Sequence, residues 1–342
     1  MKPILWEDNS LSVLDQRLLP SRKVWRQVKD AKDAHDFIKS MVVRGAPLIG
    51  VVAAFGVALE AGRSREADSA TFRRKLVEIA DSISLARPTA VNLAWAAQRV
   101  SRAAGRVSTV KGMKARALEE AIRIMEEEKE MSTRIGENGA SLIKDGDTIL
   151  THCNAGALAT VGLGTALAPV RTAVAQGKNV KVFATETRPA LQGARLTTFE
   201  LMEDHIDVTL ICDTMVGSTM SKGLVDEVFL GADRVLADGT VYNKIGTYQV
   251  AVLAKRHYVP FYSAFPRSTF DLTSRADQVK IEERDSREVT MIRGRRIAPR
   301  GVKVLNPAFD ATPAELVTAY VTDRGIEHPP FEKMTVREPG RE

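Results

Sequence analysis

The feature that most constrains this chain is a change of period near residue 145. From about residue 30 to about 143, apolar residues recur at helical spacing. Beyond the turn Lys144-Asp-Gly-Asp, short apolar runs alternate with helical segments. The runs are Thr148 to His152, Val180 to Thr185, Val208 to Cys212, Glu227 to Leu230 and Pro260 to Phe265. Such short runs read as strands. Strands separated by helices must cross over and lie parallel rather than fold back as hairpins. The expected class is therefore α/β, with a doubly wound, mostly parallel sheet over residues 144–342. A smaller, mainly helical domain over residues 1–143 precedes it.

Within that first part, Ser10-Leu-Ser-Val-Leu-Asp and Lys23-Val-Trp-Arg-Gln-Val alternate with period two, which predicts a short antiparallel sheet. Helices are expected over Asp30 to Met41, Ala46 to Ala61, Thr89 to Ala104 and Met113 to Leu142. The second is apolar almost all round, so it should be buried. Its apolar run, Ala46 to Leu59, is too short to span a bilayer. The opening Met1-Lys-Pro-Ile-Leu-Trp-Glu-Asp carries acids early and no signal-peptide apolar region, which predicts a cytoplasmic location.

Two cysteines, Cys153 and Cys212, form no CxxC pair and no disulfide framework. The five histidines are scattered without HxxxH or HExxH spacing, so no metal site is expected. The net charge of +6 is spread along the chain and interleaved with acids. The clusters Arg22 to Arg26 and Arg293 to Arg296 read as solvated faces, and no nucleic-acid motif accompanies them. An anionic small substrate, such as a phosphorylated metabolite, fits this balance.

In open α/β sheets, ligands bind outside the carboxyl ends of the strands. The predicted strand ends deliver Cys153 and Asn154, then Thr185-Glu-Thr-Arg-Pro leading into Gln192, then Asp213, then Asp233. Cys153 lies in a Gly- and Ala-rich turn read as opening a helix, where the dipole can lower a thiol pKa. Cys212, inside a strand, reads as a small buried hydrophobe. Asn243-Lys244-Ile-Gly-Thr is either a plain helix cap or a phosphate cradle of backbone N–H groups plus Lys244. Arg44-Gly-Ala-Pro and Arg87-Pro-Thr-Ala each place an arginine at a helix start; the two together resemble an anion site, while each alone is equally a surface cap. Gly162-Leu-Gly-Thr-Ala-Leu has leucine at the third glycine position of a dinucleotide fingerprint, so no dinucleotide site is expected.

Seven stretches in order carry a family resemblance that covers the chain from about residue 10 to 330. They are Val43-Arg-Gly-Ala-Pro-Leu-Ile-Gly, Arg87-Pro-Thr-Ala-Val-Asn-Leu, Thr151-His-Cys-Asn-Ala-Gly-Ala-Leu-Ala-Thr, Glu186-Thr-Arg-Pro-Ala-Leu-Gln-Gly-Ala-Arg-Leu-Thr, Gly231-Ala-Asp-Arg-Val, Asn243-Lys-Ile-Gly-Thr-Tyr and Asn306-Pro-Ala-Phe-Asp-Ala-Thr-Pro. The chain resembles the methylthioribose-1-phosphate isomerases, within the larger family that includes the regulatory subunits of translation initiation factor two-B. The resemblance implies a Rossmann-like catalytic domain, aldose–ketose isomerisation in methionine salvage, no metal or organic cofactor, and a homodimer. It implies Cys153 and Asp233 as the catalytic pair, Arg44, Gly45, Ala46 and Arg87 as phosphate and sugar contacts, and Gln192, Asn243 and Lys244 as further substrate contacts.

Those residue types suit the reaction. An aldose with phosphate on its anomeric oxygen cannot open as a free hemiacetal does, so an acid must be aimed at the ring oxygen. A carboxyl group is ionised at neutral pH unless desolvated, and Asp233 is expected to be held protonated in a closed pocket. Cys153 would take the C2 proton or stabilise the enolate, with a direct hydride shift as the competing route. Two stretches depart from the family pattern: Asp213-Thr-Met-Val-Gly-Ser and Ser263-Ala-Phe-Pro-Arg-Ser-Thr. Both are expected near the sugar's C5 substituent, where Arg267 could favour a second phosphate. Ribose 1,5-bisphosphate and 5-deoxyribose 1-phosphate therefore stand as alternative substrates, and a non-catalytic, initiation-factor-like sugar-phosphate binder as an alternative function.

Overall fold

The computed structural model describes residues 1–87, 90–292, 294–329 and 331. The chain forms two compact units that are not consecutive in sequence. The first is Met1–Thr133, Asn154–Ala168 and Arg195–His205; the second is Arg134–Cys153, Pro169–Ala194 and Ile206–Glu342. A single division after residue 143 does not describe this arrangement, for local reasons. In the first unit Gln16 Nε2 donates to the Leu158 carbonyl at 2.7 Å and Arg195 Nη2 donates to the Gln16 carbonyl at 3.0 Å, binding both late segments to the amino-terminal chain. In the second, Gly139 lies so close to Pro169 that a Cβ would stand 2.3 Å from the proline ring.

The first unit opens with the expected antiparallel sheet, three-stranded in the order β1 (Ile4–Glu7), β2 (Ser10–Leu14), β3 (Trp25–Val28). Helices α1 (Ala31–Lys39), α2 (Ala46–Arg63), α3 (Ser69–Ser84), α4 (Val91–Gly105) and α5 (Val110–Ala140) follow. Side-chain carboxylates cap two of them, Asp30 accepting from Asp33 N–H and Asp68 from Thr71 N–H. The core helix α2 packs against α1, α3 and α4. Its 18 residues are long and apolar enough to cross a membrane by composition, and 67% of that window is buried within the protein. Buried Val51, Val52, Phe55 and Val57 make it the centre of this unit's core. Each such side chain contributes roughly 1.5–3 kcal/mol of transfer free energy.

The second unit is built on a seven-stranded sheet. Its strands are β4 (Thr148–Thr151), β5 (Lys181–Thr185), β6 (Asp207–Ile211), β7 (Glu227–Leu230), β10 (Phe261–Ala264), β15 (Ala319–Thr322) and β16 (Gly325–Glu327). All five strand runs expected from the sequence are present. The order is β16-β15-β10-β7-β4-β5-β6, parallel except for the edge strand β16. The chain starts at β4, steps outward to β5 and β6, then returns to the other side of β4 with β7. The sheet's direction of growth thus reverses between β4 and β7. A second, four-stranded sheet, β11-β8-β9-β14, joins β8 (Arg234–Leu236), β9 (Val241–Lys244), β11 (Phe270–Asp271) and β14 (Phe309–Thr312). A ribbon of β12 (Met291–Ile292) and β13 (Arg295–Arg296) completes the strands. Helices α6 (Leu167–Ala175), α8 (Val216–Ser221) and α9 (Thr247–Arg256) connect the strands of this unit, whereas α7 (Thr198–Glu203), between β5 and β6 in the chain, belongs to the first unit.

Candidate active site

The sheet's reversal point lies between the strands that lead into two of the residues expected to react. Cys153 follows β4 and Asp233 follows β7, the two strands that flank the reversal. There a parallel sheet leaves a crevice, because the crossovers run away on opposite sides. Backbone pairing between the two strands ends at Leu150 and Val228. Beyond it the Thr151 hydroxyl reaches the Phe229 carbonyl at 2.9 Å.

Cys153 is held by its backbone. Its φ is +64°, a left-handed conformation unusual for a residue with a side chain, and its N–H donates to Thr187 Oγ1 at 2.8 Å. Thr187 is itself left-handed at +61°, although β-branched. Each such residue costs roughly 1–3 kcal/mol, so the surroundings must over-determine it. They do so through Asp213: the Thr187 N–H donates to Oδ1 at 2.8 Å and the Arg188 N–H to Oδ2 at 2.7 Å. Asp213 therefore serves the turn after β5 rather than presenting a free carboxylate.

Behind Cys153 lies His152, only 2% exposed. Its Nε2 stands 2.9 Å from the Ile245 carbonyl, which can only accept, so Nε2 carries the hydrogen. Nδ1 then accepts from Thr185 Oγ1 at 2.7 Å. Burial pushes the His152 pKa down, opposed by the nearby Asp213 carboxylate, and the ring stays neutral. Gly246 closes over the ring with φ +103°, and a Cβ there would lie 2.9 Å from His152 Cε1.

The segment after β4 is not the helix expected from its alanines. A three-residue 3-10 turn, Ala157–Ala159, is all that forms before α6. The helix start expected at Cys153, with the dipole it would have supplied, is therefore not formed. Glycines explain the irregular path: a Cβ at Gly156 would collide with the Glu200 carboxylate, and Gly164 has φ +104°. Cys212 is also not the buried strand residue expected; it is exposed, just beyond β6.

Other candidates in this unit are placed as follows. Asp233 is exposed, its N–H donating to the Tyr242 carbonyl at 2.9 Å, so the protonating burial expected of it is not present in this form. Gln192 precedes a π-helical turn, Gly193–Thr197, and its Oε1 is buried without a partner among the described residues. Asn243 and Lys244 end β9. Asn243 is buried and donates to Thr247 Oγ1 at 3.0 Å. Lys244 Nζ donates to the Ala308 carbonyl at 2.8 Å and stands 4.4 Å from the centroid of the Phe309 ring. The two readings left open for the next helix resolve toward a cap. Asp310 accepts from Gly246 N–H at 2.7 Å and Tyr248 N–H at 3.2 Å, occupying the N-terminus of α9. Burial raises the Asp310 pKa to about 6 against the pull of those amides. Arg267, expected near a second phosphate, pairs with Glu327 at 3.5 Å. A cavity of about 180 Å³ is lined by His152, Arg188, Asp213, Ile245, Gly246 and Gln249 among others; Cys153 and Asp233 do not line it.

In the first unit, Arg44 Nη1 donates to the Asn154 carbonyl at 2.8 Å. Gly45 caps α2 at φ +94°, and a Cβ there would stand 2.4 Å from the Ala159 carbonyl oxygen, so only glycine fits. Ala46 is the first residue of α2. Arg87 precedes α4, with Pro88 and Thr89 of its motif outside the described residues. Gly50 of α2 approaches the Asn92 carbonyl closely, so the two helix starts that carry Arg44 and Arg87 lie side by side. Asn154 is buried and donates to Glu200, which is fully buried, and to Thr197 Oγ1 at 3.0 Å. Sequence reasoning brought Thr185 and Thr187 to the strand end without giving either a part, and did not single out Glu200 or His152. The signal available was a Thr-x-Thr pair at one strand end beside a His-Cys pair at the next.

The model of the initiation factor 2 subunit family matches residues 42–329. A protein of Thermosipho africanus named methylthioribose-1-phosphate isomerase is 52% identical over 96% of this chain and 95% of its own length. One of Moorella thermoacetica named 5-deoxyribose 1-phosphate isomerase is 49% identical over 97% and 95%. Among solved structures, a 5-methylthioribose 1-phosphate isomerase from Pyrococcus horikoshii OT3 is similar with a TM-score of 0.92 at 40% identity, covering 97% of this chain and 94% of that one. A protein from A. fulgidus described as translation initiation factor eIF-2B, subunit delta, is similar with a TM-score of 0.90 at 49% identity, covering 97% of each.

Proposed function

This chain belongs to the initiation factor 2 subunit family, and on that premise we propose that it is an aldose–ketose isomerase converting 5-methylthioribose 1-phosphate to 5-methylthioribulose 1-phosphate in methionine salvage. The observation that carries the reading is the pair Cys153 and Asp233 at the two strand ends flanking the sheet's reversal. The names of relatives near 50% identity support the substrate class.

In this proposal Asp233 donates a proton to the ring oxygen and the bond from C1 to that oxygen breaks. Since the carboxyl group is exposed without ligand, bound sugar supplies the desolvation that a proton donor needs. The hydrogen at C2 then moves to C1. By the proton route it leaves to Cys153, C1 takes up a proton and the C2 hydroxyl loses one, leaving the ketone; by the hydride route it passes directly. Arg44, Gly45, Ala46 and Arg87 are assigned to the phosphate and sugar, and Gln192, Asn243 and Lys244 to further substrate contacts. The buried, unpartnered Gln192 Oε1 suits that role, since a sugar hydroxyl would satisfy it. A homodimer in the cytoplasm is part of the proposal.

The Moorella relative favours a second reading, 5-deoxyribose 1-phosphate as substrate. The pairing of Arg267 with Glu327 weighs against a second phosphate and so against ribose 1,5-bisphosphate. Turnover of purified protein on the three sugars side by side tests the reading. A dominant kcat/KM on methylthioribose 1-phosphate supports it, and dominance of another sugar moves the substrate. No turnover on any overturns the enzyme assignment in favour of a binding subunit like the A. fulgidus protein's description.

A further inference from the structure

We propose that His152, Thr185 and Thr187 are positioning residues for Cys153, joined in one hydrogen-bond chain that fixes the backbone conformation of the reacting residue. This rests on the reading of Cys153 as the reacting thiol. The chain runs in a single sense. Cys153 N–H donates to Thr187 Oγ1 at 2.8 Å, and Thr187 Oγ1 lies 3.2 Å from Thr185 Oγ1. Thr185 Oγ1 donates to His152 Nδ1 at 2.7 Å, and His152 Nε2 donates to the Ile245 carbonyl at 2.9 Å. The Thr185 hydroxyl donates to His152 Nδ1, and the Thr187 hydroxyl has two acceptors in reach, Thr185 Oγ1 at 3.2 Å and the Thr185 carbonyl at 3.4 Å. His152, Thr185 and Thr187 are all buried, where hydrogen bonds polarise one another and a missing partner is costly.

Three observations separate this arrangement from ordinary core satisfaction. Its first donor is the amide of a residue held left-handed without being glycine. Its second member, Thr187, is left-handed and β-branched, and a carboxylate from the next strand holds it there. Its far end crosses to the turn before α9, where Gly246 makes room for the ring. Strands β4, β5 and β6 thus each give one part of the support. A hydroxyl at position 187 is needed because the Cys153 amide points at it, and a plain packing role would be met by valine.

The test compares Thr187→Val, Thr187→Ser and Thr187→Ala in the full-length protein. Kinetics on methylthioribose 1-phosphate and the iodoacetamide alkylation rate at Cys153 are the two readouts, with exposed Cys212 as internal reference. Valine is expected to lower kcat about thirtyfold or more with KM within about threefold. Serine should stay within about threefold of the parent. Cys153 alkylation should change about fivefold in the valine form while Cys212 stays constant. Should valine prevent folding, alanine removes the same hydroxyl and relieves the branched side chain, and carries the same expectation. A valine or alanine form with unchanged kcat and unchanged Cys153 alkylation overturns the proposal. So does a serine form as impaired as valine. Full turnover by Cys153→Ser would instead remove the thiol from the reaction, while the alkylation rates would still report whether the chain positions the residue.

Discussion

The two ends of the seven-stranded sheet are made from the same strands and treat polar groups in opposite ways. At the amino end, the turns into β4, β5 and β7 assign their left-handed conformation to glycine, at Gly146, Gly177 and Gly223. His205 and Tyr258, also left-handed, lead into β6 and β10 at the ordinary glycine-favoured position past the ends of α7 and α9. At the carboxyl end the left-handed residues are Cys153, Thr187 and Leu191, none of them at a simple helix end. Charge differs as well. The amino end gathers Asp147, Asp226 and Glu227, and burial with the two aspartates pushes the Glu227 carboxyl up to about 7. The carboxyl end keeps His152 neutral and commits Asp213 to two amides. Strain that a turn does not require, held by convergent hydrogen bonds, sets apart the end proposed to react; at the other end the raised Glu227 carboxyl has no such support and is a local cost.

The largest expected effect breaks the comparison at Asp233. Changing Asp233→Asn should lower kcat about a thousandfold, because an amide cannot protonate a ring oxygen, with a thermal midpoint close to the parent's. Steady-state kinetics beside thermal unfolding would check both. Next comes Gly246→Ala. The residue would be forced to φ +103° with its methyl 2.9 Å from His152. A loss of about 2 kcal/mol in urea unfolding is expected, together with a fall in kcat.

The ends also pull stability in opposite directions with pH. A buried neutral histidine has a folded pKa below its ordinary 6.5. The unfolded chain then binds the extra proton first, so the stability His152 contributes is complete above pH 6.5 and is lost as pH falls below it. Glu227 behaves in reverse, with its folded pKa near 7 above the ordinary 4.5. Its contribution is complete below pH 4.5 and lost as pH rises through 7. The smallest expected effect follows from this. Glu227→Gln should stabilise the protein by about 1–2 kcal/mol at pH 8 and by little at pH 5, with kcat unchanged. Urea titrations at the two pH values measure it, and equal gains at both would contradict the sign.

How much of this was legible in sequence depended on whether the signal was local. Strands β4, β5, β6, β7 and β10 were readable because each is a short apolar run bounded by turn residues. Their carboxyl ends already named Cys153, Gln192, Asp213 and Asp233. The order of the strands was not readable, since the reversal between β4 and β7 depends on packing and not on any one residue. Strands β8, β9, β11 and β14 carry polar residues such as Arg234, Asn243, Lys244, Asp271 and Asp310 in place of an apolar run, so they offer no such signal. The alanines after Cys153 argued for a helix, and close approaches at Gly156 and Gly164 overrode that propensity. Asp310, far along the chain from α9, could not be recognised as its cap. Arg267 looked free in sequence because Glu327, its partner, lies on the later edge strand.

The most direct test of the account is turnover of methylthioribose 1-phosphate by Cys153→Ala beside the parent protein, with thermal unfolding of both. The account predicts a loss of at least about a hundredfold in kcat with the folded state retained. An alanine form that is folded and turns over at the parent's rate would contradict the claim that the reaction runs at the carboxyl ends of β4 and β7 through Cys153.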